Sequence, residues 1–132
     1  LREAAATARS ARTRLAAMVL AVAEHFHSHR DFFRIIIREW SGLRLPKRAS
    51  FLARRAAARS LFTRVLRQGA RSGEFRNLDA PAAADMVLGM VRSLVRFGDP
   101  RMTPDQIAKL VLDVFLNGIR NTSHHGKESR RS

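Results

Sequence analysis

Residues 79–119 read DAPAAADMVLGMVRSLVRFGDPRMTPDQIAKLVLDVFLNGI, two amphipathic helices separated by a hard break. Asp79 is a good N-cap with Pro81 tolerated in the first turn, which predicts a helix from there to about Phe97. Gly98-Asp99-Pro100 ends it, and Thr103-Pro104-Asp105-Gln106 forms a capping box with proline at the first position of the next helix. Met86, Val87, Met90, Val91 and Leu94 on one helix, and Leu110, Val111, Val114, Phe115 and Ile119 on the other, make apolar surfaces wider than one neighbour covers. A further partner is needed, and self-association into a four-helix interface supplies one. Gly89 and Gly118 lie inside these helices, where glycine costs ~1 kcal/mol relative to alanine; close backbone approach at a crossing would explain them.

Upstream, helical spacing continues. From Arg2 to about His27 the chain is alanine-rich and free of Gly and Pro, with Leu15, Met18, Val19, Val22 and Phe26 in register, so one long helix is predicted. A shorter one follows from Phe32 to Trp40, with Phe33, Ile36, Ile37 and Trp40 at i, i+3, i+4 and i+7 and Gly42 as its stop. Pro46 opens a third that runs to about Arg71, its buried side carrying Phe51, Ala58, Phe62, Val65, Leu66 and Gly69, with Arg48, Arg55 and Arg59 on a different face. Residues 73–77 read as a connector. No segment shows the two-residue alternation that strands require, so the fold class is all-α with about five helices. The polar segment 122–132 is expected to be a disordered tail.

Composition narrows the function classes. The 132 residues make one ordinary domain with no cysteine, which excludes a disulfide framework, a thiolate nucleophile and a Cys-based zinc site. The longest apolar run, Leu15 to Ala23, falls far below the ~20 residues a bilayer span needs, so a cytoplasmic protein with no membrane partner is expected. The formal charge of +14 is uneven: residues 1–72 hold 16 Lys/Arg against 4 Asp/Glu, while residues 73–122 hold 6 against 6. The front of the chain thus suits a neighbouring polyanion, and the neutral back suits another protein surface. The arginines are spread over several helix faces without interleaved aromatics, which favours a general electrostatic field over a base-reading surface.

Chemistry is sparse. With no Tyr, no glycine-rich phosphate loop and no serine placed beside a His and a carboxylate, the chain reads as a non-enzyme. His25, His27 and His29 cluster at a helix end, but only His25 and His29 share a face, so solvated histidines are a better explanation than zinc; no metal or cofactor is expected. Met18, Val22, Phe26, Phe33, Ile37, Trp40, Phe62, Leu66, Met86 and Met90 form a bulky apolar group over four helices. Such a group either fills a core or surrounds a cavity for an apolar molecule.

Taken in order, several pieces resemble one family. They are the segment His29-Arg30-Asp31-Phe32-Phe33 through Trp40, the basic helix ending Gly69-Ala70-Arg71-Ser72-Gly73-Glu74-Phe75-Arg76, then Asp79-Ala80-Pro81-Ala82, and the ending Val114-Phe115-Leu116-Asn117-Gly118-Ile119. Over residues 1–121 this pattern is similar to the C-terminal regulatory domain of TetR-family transcriptional repressors. The resemblance implies a homodimer built through the last two long helices, with Leu94, Leu110, Val111, Val114, Phe115 and Gly118 at its interface. It also implies a small-molecule pocket within the first four helices. Phe33, Ile37, Trp40, Phe62, Met86 and Met90 would be its wall, Met18, Val22, Phe26 and Leu66 would complete it, and Glu39 or a histidine would be a polar contact. Effector binding there would release operator DNA held by an N-terminal helix-turn-helix domain that has no counterpart in these residues. Leu1-Arg2-Glu3 would then be the start of the helix that follows that domain. The alternative from another class is a stand-alone basic helical adaptor without a ligand pocket.

Overall fold

A computed structural model of the chain describes residues 10–121, and the side chain of Phe33 lies outside the described set, as does the expected tail. Among these residues five α-helices follow one another: α1 (Ala11–Ser28), α2 (Arg30–Arg38), α3 (Leu45–Ser72), α4 (Ala80–Phe97) and α5 (Pro104–Ile119), with a 3-10 turn at Trp40–Gly42. Among the described residues the fold is all-helical, and no helix is long and apolar enough to cross a membrane.

Helix ends are set by local chemistry. The Asp79 carboxylate accepts from the Ala82 amide at 3.1 Å. Thr103 and Gln106 close their reciprocal box, with the Thr103 amide donating to Gln106 Oε1 at 2.9 Å and the Gln106 amide to Thr103 Oγ1 at 3.2 Å. The α1 boundary differs from the expectation. The alanine-rich segment suggests one helix from Arg2, of which residues 2–9 lie outside the described set; Ser10 has extended backbone and its hydroxyl accepts from the Thr13 amide at 3.0 Å, so a helix begins at Ala11. A side-chain cap outcompetes helix propensity there.

The core lies where α1 is wrapped by the second half of α3, by α4 and by α5. Leu15, Met18, Val19, Phe62, Val87, Val91, Ile107 and Val111 are its largest fully buried side chains. In α3 every buried residue falls in the second half: Phe62, Thr63, Val65, Leu66 and Gly69. The first half, 45–58, is only partly covered or exposed. That division leaves room on one side of the bundle for the cavity described below.

The connector 73–79 is a structural clasp. Gly73 closes α3 in the left-handed region (φ 83°), which glycine adopts without Cβ penalty. Phe75 then folds back onto Gly69, where an added Cβ would lie 2.8 Å from the ring's Cγ and nearer still to its edge. The Glu74 carboxylate accepts from the Ala11 amide at 3.1 Å and from the Ser72 hydroxyl at 3.0 Å, placing a negative charge at the positive end of α1. The Arg76 amide donates to the Ile119 carbonyl at 2.7 Å, tying in the end of α5. One short loop therefore secures the start of the first helix and the finish of the last. Glu74→Ala is expected to lower stability by about 1–2 kcal/mol, and Glu74→Gln to restore part of it, read as urea midpoints at fixed protein concentration.

Gly89 and Gly118 do not mark helix crossings inside the chain: a Cβ at either would meet nothing within 4 Å. Both point away from the core. The wide apolar stripes of α4 and α5 are split in the same manner. Val87, Leu88, Val91, Ile107, Val111, Phe115 and Ile119 turn inward, whereas Met86, Leu110 and Val114 are exposed by 63, 44 and 57%.

Candidate functional site

A cavity of about 900 Å³ opens between the C-terminal half of α1, α2, the Trp40 turn, the first half of α3 and the C-terminal half of α4. α1, α3 and α4 each contribute one face. On α1 it is Val22, His25, Phe26 and His29, and on α3 it is Phe51, Arg54, Arg55 and Ala58. On α4 it is Leu88, Arg92, Val95 and Arg96, while α2 adds Arg30, Phe32, Arg34, Ile36 and Ile37. On α1, α3 and α4 the spacings of three and four residues are the ordinary helix-face repeat, so those walls follow from helical geometry once the helices are splayed, whereas the short α2 borders the cavity along more than one face. α5 contributes nothing.

Trp40 occupies the outer end. Its indole meets the Phe51 ring edge-on with centroids 5.5 Å apart, and the Arg48 guanidinium lies over it at 5.7 Å while donating to the Ser41 carbonyl at 2.7 Å. Arg48 Nε is buried and bonds no described atom, so the ring face compensates for part of its lost hydration. His25 and His29 stack at 4.5 Å along α1. Burial, then His29, then Arg54 depress the His25 pKa below the usual imidazole value, so its neutral form is favoured. On the opposite wall Arg92 is half-buried, and burial followed by the neighbouring Arg55 disfavours its charge.

The residues expected at a pocket are distributed unequally. Val22, Phe26, Ile37 and Trp40 line the cavity. Met18, Phe62 and Leu66 do not; they are packed in the core at 0, 0 and 3% exposure. Met86 faces outward, Met90 packs partly buried against the core, and Glu39 is exposed and outside the lining. Phe33 belongs to α2, with its side chain outside the described set. Arg55, read from sequence as lying on a face apart from Phe51 and Ala58, shares their face, as the spacing 51, 55, 58 itself implies. The arginines of the wall are the residues that sequence reasoning missed. Their signal was present as Arg at i+3 and i+4 from Phe51 and at i+4 from Leu88.

At the expected interface the outcome is also divided. Leu110, Val114 and Gly118 are exposed and Leu94 is half-buried, whereas Val111 and Phe115 fill the core of the single chain. Their i, i+4 spacing matches both roles, and only the position of α1 separates them.

Residues 8–119 match a family described as "Tetracyclin repressor-like, C-terminal domain". Among solved structures, the ketosteroid transcriptional regulator KstR2 of Mycobacterium tuberculosis has a similar fold, with a TM-score of 0.71 and 22% identity over 90% of this chain. The alignment spans 63% of that chain's length. No curated protein matches the sequence.

Proposed function

This chain belongs to the tetracyclin repressor-like C-terminal domain family of transcriptional regulators, and from that premise we propose that it binds a small effector and dimerises, controlling DNA binding by a domain that precedes it. The supporting observation is the cavity of about 900 Å³, whose volume and largely apolar wall suit a molecule of drug or steroid size. Dimerisation is supported by the exposed apolar side chains of Met86 on α4 and of Leu110 and Val114, one turn apart on α5, which a second copy would cover.

Coupling would run through α1. Its C-terminal half is cavity wall, and its first amide is held by Glu74 about 15 to 27 Å from that wall at the helical rise of 1.5 Å per residue. An effector that fits better when the wall end is displaced would tilt the rigid helix about that clasp and shift whatever precedes Ser10. Couplings of this sort amount to ~1–3 kcal/mol, enough to change operator affinity about 5- to 150-fold.

A thermal-shift screen of lipophilic compounds tests the reading, with a neutral ketosteroid as a first probe because KstR2 shares the fold. A compound at 100 times its dissociation constant should stabilise the domain by about 2.7 kcal/mol, raising the melting temperature by several degrees. Indifference to every neutral and charged lipophile, in a protein that sediments as a monomer, would favour the adaptor reading instead.

A further inference from the structure

The cavity has an apolar floor, yet its charge is all of one sign. Arg30, Arg34, Arg54, Arg55, Arg92 and Arg96 line it, and no aspartate or glutamate does. Among the described residues no carboxylate hydrogen-bonds Arg55 or Arg92; Asp85, which lies outside the lining and is bonded to Arg59 at 2.7 Å, acts on both only through its field. Three guanidiniums, those of Arg55, Arg59 and Arg92, thus share one exposed carboxylate, and Arg55 and Arg92, the second half-buried, line the same apolar hollow from neighbouring helices. Like charges in a partly desolvated site destabilise each other unless an anion sits between them. A guanidinium is also the side chain whose paired N–H donors match the oxygens of a carboxylate or phosphate.

We infer that the effector is an amphipathic anion, its apolar body lying along Val22, Phe26, Ile37 and Trp40 and its carboxylate or phosphate head seated between Arg55 and Arg92. A purely apolar molecule would leave the two cations facing each other in a site it had further dried. An amphipathic cation would add to the repulsion. The inference rests on the effector-pocket reading above and adds to it the chemical class of the ligand.

Trp40 is the sole tryptophan of the chain and lies on the cavity wall, so its fluorescence reports occupancy directly. Decanol, decanoate, decyl phosphate and decyltrimethylammonium, each below its micelle concentration, are titrated into the whole chain. Decanoate or decyl phosphate should bind at least ~10-fold more tightly than decanol, and the stronger of the two identifies the head group. Raising salt from about 50 to about 500 mM should erode that preference without affecting decanol. Arg55→Gln and Arg92→Gln should each weaken the preferred anion about 10- to 100-fold and leave decanol unchanged. Arg55 is exposed, so its variant keeps the test valid should Arg92→Gln fail to fold. Arg101→Gln, outside the cavity, is the control. Equal affinity for decanol and both anions, or insensitivity to both arginine variants, would overturn the anionic assignment while the pocket stands. Failure of all four probes and of the ketosteroid would remove the pocket reading as well.

Discussion

Phe62→Ala is expected to destabilise the domain by about 3–5 kcal/mol without touching the cavity wall. Phe62 is fully buried where α3 meets α1 and α4, so truncation removes its transfer energy and leaves a void in a closely packed region. Against a total stability of ~5–15 kcal/mol for an ordinary domain, that loss is a large fraction. Phe51→Ala, on the same helix but half-buried on the cavity side, should cost only about 1–2 kcal/mol while weakening any ligand that rests against the Trp40–Phe51 pair. Urea denaturation at fixed protomer concentration reads both, as midpoint shifts with unchanged slope. Equal costs would mean that the two halves of α3 are packed alike, and the cavity would lose its structural basis.

Leu110→Glu combined with Val114→Glu should convert a dimer into the 14.9 kDa single chain with its helical content intact. The two side chains are exposed by 44 and 57%, so the fold of one copy does not depend on them. Across a two-fold axis the substitutions would bring four carboxylates into a region that has to be dry, and a stable interface of this type buries on the order of 2,000 Å². Sedimentation velocity at micromolar protein, with circular dichroism alongside, separates dissociation from unfolding. A parent protein that sediments as a single chain would remove the dimer from the proposed function. Variants that stay paired would move the interface to another surface. Val111→Glu, one position along from Leu110, should instead unfold the chain, since Val111 is 1% exposed.

Much of the architecture was legible before any coordinates. Asp79 and the Thr103–Gln106 box each act within four residues of chain, so local chemistry suffices to place them. The pocket was less legible. Val22, Phe26, Ile37 and Trp40 were found from apolar spacing, but the same rule also selected Phe62 and Leu66, which face the core. Bulk and hydrophobicity are shared by a core residue and a cavity wall; what differs is whether a helix stands opposite. The arginine wall was missed because the arginines were read as dispersed over several faces and as a general field, whereas a long guanidinium side chain can border an apolar hollow and keep its head at the rim.

The amino-acid order by itself determined the helical class, the order of the helices, the caps at Asp79 and Thr103 and the existence of an apolar excess on α4 and α5, because these depend on contacts three or four residues apart. Tertiary structure alone decided that Val111 and Phe115 turn inward while Leu110 and Val114 turn outward, and that Arg55 and Arg92 share one hollow. Helical periodicity defines the faces of a helix without saying which face its neighbours will cover, and that choice is made by packing among segments distant along the chain.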